Sequence, residues 1–428
     1  MILRRLALAL LLLPAGAAIA AVPTAIAIRD ARVVTVSGST LESGTVLLRD
    51  GLIEAVGADV AVPDDAWVIE GKRLTVYPGL IDALSSWGLP KPAEKKPENG
   101  ASSPPIGGPE FRPMTTSWTR AADLVQPGEK ILEQARSAGF TTAVSFPQEG
   151  IFGGEGAVLN LAGERAGKMV VCPSAGQYIA LRTSNSAAFP ASLMGTISYI
   201  KQVYLDAGQY AQAKSIYSEN SKGLGRPEYD RALEGILSSP RILLPADRAL
   251  DVERMLRLLS ELDREAVLYG LHEGYEVADL LKERGIPVLV NLKWPERDKE
   301  ADPERDDPLR VLELRDKAPA TPKALAGAGV KFAFYSGGIE KPADVIKAVR
   351  AAKDAGLTQE DAVRGLTLSA AEIYGVSGRL GSLEPGKIAN LVVTEGELFA
   401  EKTVVRHVFV DGVKFSPPAK PAEKEEQK

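Results

Sequence analysis

The sequence is short of cysteine, histidine and clustered basic residues, and each shortage excludes or disfavours one structural or functional feature. One cysteine, Cys172, in 428 residues excludes an intramolecular disulfide. The formal net charge is −5 and lysines and arginines form no long runs, which argues against a nucleic-acid-binding surface. The two histidines, His272 and His407, are too few for a metal site that depends on several imidazoles.

The longest apolar run, residues 6–13, is also too short for a membrane span, which needs about 20 residues. It follows Arg4 and Arg5 and precedes a small-residue motif that ends at Ala20. This order is typical of a secretory signal peptide. We therefore expect cleavage between Ala20 and Ala21, a periplasmic or secreted location, and no membrane span in the mature chain.

Strand patterns at both ends of the chain enclose a middle part in which strands and helices alternate. Residues 24–76 are rich in short β-type segments, and the pattern returns at 389–410, with Asp-Gly hairpin signals at 50–51 and 411–412. From about residue 129 onward, strands are separated by helical segments of ten or more residues, which indicates parallel βαβ units. The two β-rich ends predict one composite small domain.

Several local motifs carry a resemblance to a known family. They are Val76-Tyr77-Pro78-Gly79-Leu80-Ile81-Asp82, Ala138-Gly139-Phe140-Thr141-Thr142-Ala143, Gly153-Gly154-Glu155-Gly156, Pro245-Ala246-Asp247-Arg248-Ala249 and a late segment from Gly381 to Leu391. Together they resemble the amidohydrolase superfamily, in particular its exported, imidazolonepropionase-like members, over nearly the whole mature chain. Within this resemblance, the glycines at 153–156 are interpreted as a loop that makes tight backbone turns.

The resemblance implies an α/β fold, a (β/α)8 TIM barrel with a small β-sandwich built from both chain ends. The expected parts are a signal peptide at 1–20, sandwich segments at 21–76 and 376–415, a barrel at 77–375 with a flexible loop at 89–118, and a disordered tail at 416–428. In such barrels the working groups lie at the carboxyl ends of the strands.

The resemblance also implies a divalent metal that is held by several histidines and an aspartate and converts water to hydroxide near neutral pH. The positions where those ligands would fall are occupied by Leu84, Ser86, Pro245, Gly270 and Gly337. Leucine, proline and glycine side chains cannot coordinate zinc. We therefore predict degenerate metal positions and no cofactor; zinc or another divalent metal is expected only if the chain is an active enzyme.

A candidate pocket remains at the predicted barrel mouth, formed by Asp82, Ser86, His272, Glu273 and Ser336. The sharper hypothesis for His272 is a general acid or base, or a group that orients a substrate, since its ordinary pKa suits that role. The favoured interpretation is a histidine at the start of a helix, exposed to water.

Two functions fit these observations. The first is a protein that has lost metal-dependent hydrolysis and acts as a binding or partner subunit. The second is an active amidohydrolase that cleaves C–N bonds of cyclic amides or peptides with an atypical or shared site. For partners, we expect a homo-oligomer first and a complex with a metal-competent relative second, because closed two-fold dimers are the commonest soluble assemblies.

Overall fold

The computed structural model describes residues 25–91, 112, 114–183, 189–298, 300, 302, 304 and 306–417. The predicted signal peptide, most of the predicted loop at 89–118 and nearly all of the predicted tail lie outside the described residues. Within the described ranges, no helix is both long enough and apolar enough to cross a bilayer.

The strands and helices are as follows. The strands are β1 Ala25–Val33, β2 Leu41–Arg49, β3 Leu52–Gly57, β4 Ala66–Glu70, β5 Leu74–Pro78, β6 Leu80–Ser85, β7 Phe140–Ser145, β8 Phe152–Asn160, β9 Val170–Ile179, β10 Ile242–Ala246, β11 Ala266–Gly270, β12 Val288–Asn291, β13 Phe332–Tyr335, β14 Leu391–Glu395, β15 Val404–Val410 and β16 Val413–Phe415. The helices are α1 Ala121–Leu124, α2 Lys130–Ser137, α3 Ala166–Met169, α4 Leu193–Glu219, α5 Arg231–Ser238, α6 Ala249–Leu262, α7 Ala278–Arg284, α8 Leu309–Lys317, α9 Thr321–Ala328, α10 Pro342–Asp354, α11 Gln359–Gly365 and α12 Leu368–Ile373.

The two ends of the chain share one eight-stranded sheet. Its order is β16-β15-β14-β5-β1-β2-β3, with β4 paired to β1. The hairpins β2–β3 and β15–β16 turn at Asp50-Gly51 and Asp411-Gly412, where all four residues have positive φ. Paired positive φ angles are what a type I′ turn requires, and they explain the Asp-Gly signals in the sequence. Buried residues from both ends, among them Ile28 and Phe409, pack into one apolar cluster.

The middle of the chain forms a second eight-stranded sheet in the order β6 through β13. Adjacent strands run parallel except β8, which is antiparallel to both β7 and β9. The regular (β/α)8 prediction is therefore corrected at β8. Only residues 146–151 join β7 to β8, whereas a parallel partner needs a crossover of about a dozen residues or more.

The predicted glycine-rich loop at 153–156 is also corrected, since these residues lie within β8 and are buried. A Cβ on Gly156 would come within 2.2 Å of the Phe146 ring, and one on Gly153 within 2.3 Å of the Pro147 carbonyl oxygen. The glycines therefore let β8 approach the neighbouring chain closely, rather than forming a turn.

The barrel is nearly closed, because β13 lies beside β6 at the two ends of the sheet order. No regular ladder joins this pair; instead the Ser336 backbone N–H, just after β13, donates to Asp82 Oδ1 in β6 at 3.0 Å. Apolar side chains from the strands fill the interior, and the helices pack around the outside. This arrangement places the carboxyl ends of the parallel strands at one mouth.

Candidate functional site

A cavity of about 700 Å³ lies at the mouth formed by the carboxyl ends of β6, β11, β12 and β13. Its size is within the range of about 300–1,000 Å³ that is usual for small-molecule sites. Its wall is formed by Leu84, Ser85, Ser86, Trp87, Leu89, Lys91, Glu129, Ile131, Gln148, Tyr178, Tyr269, Asn291, Tyr335, Ser336, Gly337, Gly338, Ile339 and Glu340. The position agrees with the rule that barrel proteins carry their sites at this end.

The structure brings only some of the sequence-predicted site residues to this cavity. Leu84, Ser86, Ser336 and Gly337 line it. The remaining predicted residues do not line it, and these are Asp82, Pro245, Gly270, His272 and Glu273. The first group meets because β6 and β13 are neighbours in the nearly closed barrel, although their residues are about 250 positions apart in the chain.

Three tyrosines that the sequence analysis did not single out form a large part of the wall. Tyr178 and Tyr269 stack with ring centroids 5.4 Å apart and an angle of 24° between the planes. Tyr335 meets Tyr269 edge-on at 6.3 Å. A signal for two of them was present in the sequence, since Tyr269 and Tyr335 are the last residues of the predicted strands 266–269 and 331–335.

The hydroxyl group of Tyr269 has a protein partner. The Tyr269 hydroxyl donates to the Ile179 carbonyl oxygen at 2.9 Å and also interacts with the Tyr178 side chain. Burial raises the pKa of Tyr269 and of Tyr335 well above the ordinary value, so both remain neutral phenols.

Asp82 lies beneath the mouth as a completely buried carboxyl group in β6. Its Oδ1 accepts from the backbone N–H groups of Ser336 at 3.0 Å and Leu84 at 3.4 Å. Its Oδ2 has no hydrogen-bond partner among the described residues. Burial raises the pKa of Asp82 to about 7, against the opposing effect of the hydrogen bonds. Asp82 therefore joins the two strands at which the barrel closes.

His272 is not the exposed histidine that the sequence favoured. Its side chain is 9% exposed, and its Nδ1 donates to Asp247 Oδ1 at 2.8 Å. The Thr321 hydroxyl donates to the His272 carbonyl oxygen at 3.1 Å, which fixes this segment against α9. The Asp247 side chain is 52% exposed, so solvent can reach its carboxylate, whereas the imidazole that donates to it is buried.

Glu273 caps the start of α6. Its carboxylate accepts from the Ala249 backbone N–H at 3.0 Å, at the first residue of α6, and from the Arg310 guanidinium at 3.3 Å. A carboxylate at a helix N-terminus satisfies a free N–H group and interacts favourably with the helix dipole.

The side chains at the mouth do not fit the zinc site that the fold would imply. Within the described ranges, no three His, Cys, Asp or Glu side chains come together in an arrangement that could hold a metal ion. At the predicted position of the metal-binding aspartate, a Cβ on Gly337 would lie 1.6 Å from Asn291 Oδ1. Asn291 therefore occupies the space that an aspartate side chain would need.

Residues 266–414 match the amidohydrolase family. The chain carries an amidohydrolase family domain. This match confirms the family resemblance that the sequence motifs predicted. A search of curated proteins gave no match.

Solved structures support the fold of this chain over most of its length. An amidohydrolase from Thermotoga maritima MSB8 is 26% identical with a TM-score of 0.75, and the match covers 91% of this chain and 100% of that one. A prolidase complexed with N-methylphosphonate-L-proline is 19% identical with a TM-score of 0.54, covering 92% and 100%. Aspergillus niger ochratoxinase is 15% identical with a TM-score of 0.53, covering 95% and 98%. The last two similarities concern the fold alone.

Proposed function

We propose that this amidohydrolase-family protein binds a ligand at its barrel mouth without metal-dependent hydrolysis, as a binding or partner subunit. The supporting observation is the chemistry of the mouth, where Leu84, Ser86 and Gly337 meet beside Asn291. None of the four supplies an imidazole or a carboxylate. Hydrolysis in a metal-dependent barrel requires a bound ion that lowers the pKa of water.

The test is metal analysis of the full-length protein, grown with zinc and purified without chelators. We expect far less than about one zinc per chain and no hydrolysis of cyclic amides or dipeptides. The double variant Leu84→His with Ser86→His should remain inactive, because Pro245, Gly270 and Gly337 still supply no ligand. About one zinc per chain, together with hydrolysis that a chelator abolishes, would overturn the proposal.

A second candidate is an active hydrolase of C–N bonds in cyclic amides or peptides with an atypical or shared site. The observation in its favour is the Asp247–His272 pair, which follows β10 and β11, since a carboxylate fixed by an imidazole can orient or accept a proton. Activity that persists with a chelator and disappears in Asp247→Asn would support this candidate over the first.

We further propose that the protein is exported and assembles with a second chain, either a copy of itself or a metal-competent relative. The amino-terminal signal pattern supports export. A barrel whose own site has lost its ligands can contribute shape or stability to a partner, while self-association remains the favoured arrangement.

A further inference from the structure

The mouth cavity combines aromatic ring surface from three tyrosines with polar side chains such as Ser86 and Gln148. The hydroxyl of Tyr269 donates to the Ile179 carbonyl oxygen, as described above. Tyr178, Tyr269 and Tyr335 all contribute to the cavity wall, and two of their rings stack on each other. The faces of aromatic rings carry partial negative charge and attract cations within about 6 Å.

A carboxylate lies at the carboxyl end of β10, the strand that pairs with β11 and Tyr269. Asp247 directly follows β10, and its Cα would lie 3.0 Å from a Cβ built on Gly270, the residue after Tyr269. Burial, and after it the negative charge of Asp247, raises the pKa of Tyr335. At 52% exposure, the Asp247 side chain is accessible from solvent.

His272 keeps this carboxylate in place and ionised. Its Nδ1–H donates to Asp247 Oδ1, and its own side chain is almost fully buried, so the pair has one fixed and one accessible member. Burial alone would raise the pKa of Asp247, but the hydrogen bond and charge of His272 outweigh it and the net pKa is lowered.

The charged side chains on the cavity wall also favour a cationic ligand. Among the described residues that line it, two are acidic, Glu129 and Glu340, and one is basic, Lys91. Arg182 interacts electrostatically with Tyr269, as Asp247 does with Tyr335. Among these described groups the carboxylates outnumber the cations, which favours a cationic over an anionic ligand.

We propose that the mouth recognises an organic cation, a substituted ammonium group that packs on the rings of Tyr178, Tyr269 and Tyr335 and pairs with the Asp247 carboxylate. Aromatic rings with a nearby carboxylate form a general recognition mode for ammonium groups. His272 is a positioning residue in this arrangement. The inference rests on the proposed ligand-binding function and names the ligand class.

The experiment is calorimetric titration of the full chain with choline chloride and, separately, with 3,3-dimethylbutan-1-ol, its uncharged analogue of nearly equal shape. We expect choline to bind about tenfold more tightly than the alcohol. Asp247→Asn should remove this advantage. The matched control is Asp263→Asn, which removes one negative charge at the exposed carboxyl end of α6, where the backbone is left-handed and asparagine is well tolerated.

A second pair of variants tests the rings independently of Asp247. Tyr335→Phe keeps the aromatic face and should retain choline binding, whereas Tyr335→Leu should weaken it by about tenfold. Thermal melting checks that each variant is folded. Equal affinity for choline and the alcohol, or no binding of choline by the folded protein, would overturn the cation assignment. The proposed function is judged separately, because only zinc content and hydrolysis decide it.

Discussion

Among single residues, Asp82 has the most unusual environment. It is completely buried where β6 meets β13, and it accepts a hydrogen bond from the Ser336 backbone across that junction. Its second oxygen has no partner among the described residues. A charge in that place is costly, which is why burial raises the pKa of Asp82 to about 7.

This environment predicts a pH-dependent contribution to stability. The unfolded Asp82 loses its proton above about pH 4, but the folded one only near pH 7, so the folded state binds more protons in between. Stability from this group is therefore present at low pH and lost as the pH rises through 7. As the pH rises from 5 to 8, the native protein should lose about 2–3 kcal/mol in its free energy of unfolding because Asp82 ionises. Asp82→Asn cannot ionise and should not show this loss.

Urea unfolding of both proteins at pH 5 and pH 8 measures this difference. The control is Asp64→Asn, an exposed aspartate, whose difference from the native protein should be the same at both pH values. An equal effect of Asp82→Asn at pH 5 and pH 8 would show that the buried carboxyl group does not titrate in this range.

Among the elements, α6 shows how a residue from one loop fixes the start of a helix elsewhere in the chain. No side chain within α6 or at its own N-terminal cap satisfies the first N–H groups; Glu273, which follows β11, supplies the acceptor. Arg310 of α8 also binds the same carboxylate, so Glu273 connects two helices around the mouth.

The expected result of Glu273→Ala is a loss of about 1 kcal/mol in the free energy of unfolding, because the Ala249 N–H group loses its acceptor. Glu273→Gln keeps an acceptor oxygen but not the charge, and should lose only about 0.3–1 kcal/mol. Chemical denaturation measures both. Glu276→Ala, an exposed change three residues away, serves as the control and should stay within about 0.5 kcal/mol of the native protein.

For the whole molecule, the chain ends matter because they build one sheet together. β1 begins at Ala25, so cleavage between Ala20 and Ala21 removes no residue of that strand. The exported chain would therefore keep every strand of the shared sheet, from β1 to β16.

Protein isolated from the native cell envelope without overexpression should begin near Ala21, as read by N-terminal sequencing or intact mass. Recovery of chains that still begin with Met1 would contradict export.

The same preparation tests assembly. A stable self-pair should bury on the order of 1,600 Å² in total and elute as a dimer. Recovery of a histidine-rich relative in equal amount would indicate the mixed complex. A monomer at micromolar concentration would contradict both arrangements.

The sequence by itself predicted the family, the shared sheet of both chain ends and the meeting of Leu84, Ser86 and Gly337. The shared sheet follows from local signals, since Asp-Gly turns need positive φ at fixed positions. The three positions at the mouth were assigned through the family resemblance, which implies that strand ends meet there. The identity of each side chain at a strand end is also a property of sequence alone.

Only the tertiary structure decided the direction of β8, the burial of His272 behind Asp247, the position of Glu273 at α6, and the tyrosine wall. Each depends on contacts between segments that are distant in the chain, such as Tyr178 with Tyr269 or Asp82 with Ser336. Burial and hydrogen bonding shift a pKa or fix a side chain according to its neighbours in space. Local patterns of polarity and turn residues carry no record of those neighbours.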